Sequence, residues 1–169
     1  RVRVMRNCLE RGDEPDLGYD PRDRSAEASV FRTILGTTGL HRGGAFADPE
    51  AVPDEELAAV WREIREFFTR PTERRPLGEL VATLSKTPFG LPHGVVPLLA
   101  AAGYRKFARV VALYRDGAYM PDLLGFEIDR MFEEPDAYAI EVLEPRSDVV
   151  EYLSELGYAF AHRRIEDGT

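Results

Sequence analysis

The sequence predicts an α+β protein, mostly helical, in which a winged helix-turn-helix-like unit with a small antiparallel sheet is flanked by further helices. A run of apolar side chains at helical spacing predicts the clearest helix, at about residues 55–69. Two more apolar helical patterns lie on either side of TPFGLPHG, residues 87–94, whose prolines and glycines fix a sharp turn. The dipeptide Asp116-Gly117 then predicts a two-residue β-hairpin turn. Helices joined by a tight turn and followed by a hairpin are typical of a winged helix.

The composition limits the classes of protein to be considered. The chain has 169 residues, of which 44% are hydrophobic, so it is long and apolar enough to build a core. Its formal net charge of −8 argues against a nucleic-acid surface over the whole chain, although a local basic patch is compatible with it. The single cysteine, Cys8, predicts a buried side chain in a cytoplasmic protein. No apolar run reaches the length of a membrane span, so we expect no membrane contact.

The first 75 residues divide into two predicted regions. Residues 1–24 are charged and rich in turn-forming residues, and we interpret them as an irregular linker. Residues 25–75 predict a helical segment, which begins with a helix from the N-cap residue Ser25 to about Leu35 and continues into a glycine-rich loop. Because the chain lacks an initiator methionine and begins abruptly, we expect it to be a fragment of a longer protein.

The second helix of this segment carries the strongest pattern. Asp54 is a good N-cap residue, and Pro71 ends the helix. The apolar residues form one broad stripe with charged residues opposite, which favours a face packed in the core over a binding face. The stripe consists of Leu57, Val60, Trp61, Ile64, Phe67 and Phe68.

Residues 76–145 predict the winged-helix-like unit. Its first helix covers about residues 76–85 and its second about residues 95–107. The second helix is apolar on almost every side in its first half, which indicates burial on several sides. The hairpin that follows is expected to pair Tyr114 with Tyr119 across its two strands.

The last part of the chain predicts one strand and two helices. A short helix at about residues 126–133 precedes a strand at residues 138–143, which is expected to join the hairpin in a small sheet. Residues 146–169 predict a C-terminal helix, from Ser147 to Leu156, and a tail.

We find no arrangement of residues in the sequence that predicts catalysis. The glycines of LGTTGLHRGG are not followed by the lysine of a phosphate-binding loop. The histidines His41, His93 and His162 lie in separate segments, without a second ligand at metal-binding spacing. A small hydrolase or nuclease would need polar groups that converge in a pocket. We therefore predict that the chain is not an enzyme, holds no cofactor or metal, and has no small-molecule substrate.

Basic residues around the predicted second helix of the winged unit are candidates for nucleic-acid contact. The candidates are His93, Arg105, Lys106, Arg109 and Arg115. His93 lies in the tight turn before the helix, three of the others lie at its far end, and the last lies on the hairpin, where side chains can reach phosphates. A helix rich in leucine and alanine offers few side chains for reading bases. The alternative is a solvated helix end whose positive charge complements the helix dipole.

Several phrases of the sequence resemble a known family. In chain order these phrases are EASVFRTILGTTGLHRGG, VWREIREFF, TPFGLPHGVVPLLAAA, VALYRDGAYMPDL and FEEPDAYAIEV, which span about residues 25–143. They are similar to the middle part of the large P-loop ATPases of bacterial BREX phage-resistance systems and of their phage-growth-limitation counterparts. The resemblance implies a helical and winged-helix region that follows an ATPase core. The nucleotide-binding loop of that family is missing from this chain, so the resemblance assigns ATP binding to no residue here.

These observations lead to a hypothesis and an alternative. The hypothesis is a non-catalytic module of a larger phage-defence ATPase, which binds DNA or a partner protein such as another defence subunit or a second copy. The alternative is a purely structural or oligomerisation domain with no nucleic-acid contact. That alternative predicts a concentration-dependent dimer and an exposed apolar patch, for which the helix at residues 95–107 is the candidate.

Overall fold

The computed structural model describes residues 1–121 and 123–143, and within them the fold is α+β and mostly helical, as the sequence predicts. The helices are α1 (Val2–Glu10), α2 (Ala26–Phe31), α3 (Glu55–Thr69), α4 (Leu77–Ser85), α5 (Val96–Phe107) and α6 (Ile128–Glu133). The strands are β1 (His41–Arg42), β2 (Ala45–Phe46), β3 (Thr72–Pro76), β4 (Val111–Arg115), β5 (Ala118–Met120) and β6 (Tyr138–Val142). A π-helical turn at Arg32–Gly36 continues α2. None of the helices in this described part of the chain has both the length and the apolar surface needed to cross a bilayer.

Helix α3 begins and ends where the sequence predicts. The Asp54 side chain accepts a hydrogen bond from the Leu57 amide at 2.8 Å, which satisfies one of the N–H groups that a helix start leaves unpaired. The predicted apolar stripe is confirmed as core: all of its members are buried except Leu57, which is half-buried at the edge of the stripe.

Helix α5 occupies the centre of the core. Every residue from Val96 to Gly103 is buried, which accounts for the apolar character of this helix on almost every side. Helices α1 and α3 both pack against it. Gly103 has no side chain, and Ile64 of α3 lies against it, so the two helices approach closely there.

The four-stranded sheet has the order β3-β6-β4-β5, and all neighbouring strands are antiparallel. The predicted hairpin is confirmed, with Tyr114 opposite Tyr119. Its turn has φ values of 49° at Asp116 and 80° at Gly117, the positive values that a two-residue hairpin turn requires. The predicted third strand is confirmed as β6, and it pairs with β4 of the hairpin.

The winged-helix-like assignment of residues 76–145 stays a prediction. The order of its helices and hairpin agrees with that assignment, but β6 lies between the hairpin and β3. The inclusion of residues 72–75 in a helical segment is wrong, because they belong to β3, which gains its strand pairing from β6, far along the chain. The predicted C-terminal helix from Ser147 to Leu156, like the whole region 146–169, lies outside the described residues.

The prediction that residues 1–24 form an irregular linker is wrong. Residues 2–10 form α1, and its side chains Val4, Met5 and Cys8 are fully buried in the shared core. Leu17, in the turn that follows α1, is also fully buried. Val4, Met5 and Cys8 follow helical spacing, but the charged residues around them make this apolar pattern hard to recognise in the sequence.

The glycine-rich stretch after α2 is not only a loop, because it contains the β1–β2 hairpin. His41 of β1 is only 2% exposed and lies between the rings of Phe31 and Phe46, at centroid distances of 5.9 and 4.7 Å. Its Nε2 lies 2.9 Å from the Gly12 carbonyl oxygen. Ser25 is confirmed as the cap of α2, accepting a hydrogen bond from the amide three residues later at 3.2 Å, but the α-helix ends at Phe31.

The buried thiol of Cys8 is expected to be unreactive in the folded protein. Burial raises the pKa of Cys8 from 9.0 to about 12, because the thiolate would be poorly solvated there. We expect alkylation by iodoacetamide at pH 8 to be about a thousandfold slower in buffer than in urea, since the thiolate is the reactive form and about three pKa units lower its fraction by that factor. Because the folded pKa lies above the unfolded one, this group's contribution to stability is fully present below pH 9 and is lost as the pH rises towards 12. Equal alkylation rates in buffer and in urea would contradict the burial of α1, and C8A provides the blank.

Candidate binding groove

The structure places the predicted nucleic-acid residues in separate regions. His93 is exposed in the connection before α5, and Arg105 is exposed near the other end of α5, so that about 13 Å of helix, from Val96 to Arg105 at about 1.5 Å per residue, lies between them. Arg109 is exposed just beyond the end of the helix. Arg115 is half-buried at the far end of β4, where its Nε lies 3.6 Å from the carboxylate of Asp116.

Three of the candidates share the C-terminal end of α5. Lys106 is half-buried there, and its ammonium group lies 3.1 Å from the carboxylate of Asp48, which offsets its charge. Arg105 and Arg109 are the exposed members of this group. The structure therefore brings three of the five candidates to one helix end and leaves two elsewhere. Nucleic-acid contact at these residues stays a prediction.

Two arginines of β3 are held by contacts within the fold. The Arg74 guanidinium lies 3.5 Å from the centroid of the Tyr114 ring, and its Nε lies 3.6 Å from the Glu141 carboxylate. The Arg75 guanidinium lies 3.9 Å from the centroid of the Phe67 ring and donates to the Phe67 carbonyl oxygen. Burial lowers the pKa of Arg75. These contacts tie β3 to the sheet and to α3, so the two arginines serve the fold more than they extend a basic surface.

An apolar groove of about 730 Å³ lies at the start of α3. Three segments form it: the two residues that follow the π-helical turn, the first two turns of α3 with the proline before them, and the connection between α4 and α5. The groove is lined by Thr37, Thr38, Pro53, Asp54, Glu56, Leu57, Ala59, Val60, Pro88, Phe89 and Leu91. A volume of this size is ordinary for a ligand-binding cleft.

The connection between α4 and α5 is folded back so that two large apolar side chains reach the groove. The Leu91 amide donates to the Leu84 carbonyl oxygen at 2.9 Å, and the Gly90 amide donates to the Lys86 carbonyl oxygen at 2.8 Å. Phe89 and Leu91 are thereby held against the core, yet both remain only half-buried, as does Leu57 opposite them. The apolar walls of the groove are therefore fixed by the backbone and are accessible to a partner.

The groove has few polar groups, and its charged groups are all negative. The hydroxyls of Thr37 and Thr38 donate to carbonyl oxygens of their own helical turn, at 3.1 and 2.8 Å. The carboxylates of Asp54 and Glu56 are exposed, and they are the charged groups among the residues that line the groove. This arrangement can bury an apolar side chain and attract a positive charge beside it. Elsewhere in residues 1–121 and 123–143, no three His, Cys, Asp or Glu side chains gather in a way that could hold a metal ion.

The sequence does not predict this groove. Its patterns predict the stripe of α3 as core, residues 36–53 as a loop and residues 87–94 as a turn, and none of these segments is predicted to form a site. The signal that was available is the pair Phe89 and Leu91, two large apolar residues in a turn that belongs to no helical stripe. Nothing in the sequence indicates that they lie beside Leu57.

Comparison of the chain with protein families, with curated proteins and with solved structures gave no match.

Proposed function

We propose that this chain is a binding module that holds an apolar segment of a partner protein in the groove. The observation that carries the proposal is the set of three half-buried apolar side chains, Leu57, Phe89 and Leu91, around an open volume of about 730 Å³. Burial of apolar surface stabilises a complex by about 25 cal/mol for each Å² removed from water. A partner side chain that fills this volume would gain this burial free energy, because the apolar walls are already formed before the partner binds.

The open shape of the groove favours a segment of a protein over a small molecule. Small-molecule sites commonly bury about 70–90% of the ligand surface. Here the groove is open to solvent, between the start of α3 and the two other segments that line it. A peptide can place one side chain in such a groove and make its other contacts outside it, as helical and extended ligands of recognition modules do.

Some of the residues that line the groove also belong to the phrases that resemble the phage-defence ATPases. Thr38 opens the phrase TGLHR, and Pro88, Phe89 and Leu91 belong to the phrase TPFGLPHG, so two of the phrases that carry the resemblance contribute to the groove. We propose that the chain is an accessory region of such an ATPase and that the groove joins it to another defence subunit or to another part of the same protein.

The two other hypotheses have less support from the geometry. Nucleic-acid contact would rely on Arg105 and Arg109, exposed at one helix end of a chain with a net charge of −8. Oligomerisation through α5 would need that helix to expose an apolar face, but its residues from Val96 to Gly103 are buried.

A peptide selection with a blocked groove tests the proposal. A random peptide library displayed on phage is selected against the wild-type chain, and the enriched peptides are then measured against A59F. Ala59 is half-buried in the groove wall, so a phenylalanine there is expected to fill the groove without removing any core side chain. We expect the selected peptides to lose about tenfold or more in affinity, which corresponds to about 1.4 kcal/mol.

The matched control is A82F, which makes the same change at a half-buried alanine of α4 that does not line the groove. Circular dichroism and thermal unfolding verify that both variants are folded. Peptides that bind A59F as tightly as the wild type, or a selection that enriches no peptide, would rule the groove out as the binding site.

A further inference from the structure

We infer that the groove selects segments that present a large apolar side chain with a lysine or arginine one or two residues away. This inference rests on the proposed function and adds the chemistry of the partner. It follows from the charge at the rim of the groove, from the spacing between that charge and the apolar wall, and from the charge of the whole chain.

The charge at the rim is negative and uncompensated. Glu56 lines the groove, is exposed, and has no cation of the described residues within ion-pair distance. The carboxylate of Asp54 accepts the Leu57 amide and has no cationic partner within the same residues. Glu55, which lies between them in the sequence, does not line the groove and is paired with Arg62 at 2.7 Å. Among the described residues, the acid that does not line the groove is thus ion-paired, whereas the two acids that line it have no cationic partner.

The helix dipole accounts for only part of this pattern. Acidic residues stabilise the first turn of any helix, and Asp54 has a further role as the N-cap. The dipole acts on Glu55 and Glu56 alike, so it does not explain why the unpaired one borders the apolar wall. A positive charge on the partner would find there a carboxylate that pairs with no cation among the described residues.

The spacing on α3 sets the spacing in the partner. Glu56 and Val60 are four residues apart, so they lie one above the other on the same helix face at about 5–6 Å between their Cβ atoms. An extended peptide advances about 3.3 Å per residue. A side chain that packs against Val60 and a cation that meets Glu56 would therefore come from positions one or two residues apart in an extended segment.

The charge of the whole chain acts in the same direction. At a net charge of −8, the chain attracts basic partners and repels acidic ones over a Debye length. Nucleic acids and anionic lipid surfaces are both repelled by the two rim carboxylates. A peptide that carries both an apolar and a basic side chain can pack against the walls and pair with the rim carboxylates at the same time.

An oriented peptide library tests this inference. The library fixes a leucine at the central position and randomises the three positions on each side, and enrichment is read separately for wild type, E56Q, the double variant D54N with E56Q, and E55Q. Asparagine is as good an N-cap as aspartate, so D54N is expected to preserve α3 while removing the charge. E55Q is the matched control, because it removes one charge from the same helix turn at a residue that does not line the groove.

We expect lysine and arginine to be enriched over aspartate and glutamate by about tenfold at one or two positions next to the leucine. That preference is expected to weaken in E56Q, to vanish in the double variant and to persist in E55Q. A preference that survives the double variant would overturn the inference, because the cation would then be recognised elsewhere. Leucine-anchored peptides that bind in the groove without any preference for cations would overturn the inference and leave the proposed function intact. Failure of every peptide to bind would overturn both.

Discussion

Replacing Trp61 with alanine is expected to lower the free energy of unfolding by about 3–5 kcal/mol, the range found for large aromatic residues removed from protein cores. Trp61 is fully buried on the inner face of α3. Its ring lies 5.1 Å from the ring of Phe107, at the end of α5, and its Nε1 donates to the Ala47 carbonyl oxygen at 2.9 Å. The substitution therefore removes packing between the two central helices and the hydrogen bond that holds the segment before α3.

The loss is measured by urea unfolding followed by far-ultraviolet circular dichroism. Fluorescence does not serve for this variant, because Trp61 is the only tryptophan of the chain. W61F separates the two contributions, since it keeps an aromatic ring and removes the hydrogen bond. We expect W61F to cost about 0.5–1.5 kcal/mol, the net contribution of a typical hydrogen bond, because Ala47 is half-buried. A cost below about 1 kcal/mol for W61A would mean that the contact between α3 and α5 does not hold the fold together.

Replacing Gly103 with alanine is expected to destabilise the protein by about 1–3 kcal/mol, the usual cost of overpacking a core. The opposite sign would be expected for an ordinary helix position, where alanine is about 1 kcal/mol better than glycine. At this position a Cβ atom would overlap Cγ2 of Ile64 and would lie 3.7 Å from Cε2 of Phe68. Ile64 is β-branched and fully buried, so its methyl group has few other positions to occupy.

A second glycine provides the control for this substitution. Gly94, just before α5, has no heavy atom within 4 Å of the position that a Cβ would take, so G94A is expected to be close to neutral. The double variant G103A with I64A is expected to be less destabilised than the sum of the two single variants, because I64A removes the methyl group that clashes. An unchanged or increased stability for G103A would mean that α3 and α5 do not meet at this point.

The elements that the sequence predicts well are those that local interactions specify. The bounds of α3 follow from a side-chain cap at Asp54 and a proline after the last turn, both within a few residues of the ends they fix. The register of the hairpin follows from Asp116 and Gly117, because these two residues accept the positive φ values of the turn. The sequence predicts the burial of α5, because the first half of this helix lacks a polar face.

The elements that the sequence predicts poorly depend on partners far along the chain. Helix α1 has an apolar face among many charged residues, and its burial against α5 is decided by packing. Strand β3 contains charged residues and becomes a strand because β6 pairs with it. The hairpin at His41 is tied to the segment after α1, because Nε2 of this buried histidine lies 2.9 Å from the carbonyl oxygen of Gly12, 29 residues earlier.

The groove shows the same division. The sequence by itself determined the α+β class, the helix α3 with its cap and apolar stripe, and the turn that ends at the start of α5. Only the tertiary structure decided that Leu57, at the edge of that stripe, lines the same open space as Phe89 and Leu91. The physical reason is that hydrogen bonds and helix periodicity act within a few residues, whereas a groove exists only where distant segments pack against a common core and leave volume unfilled between them.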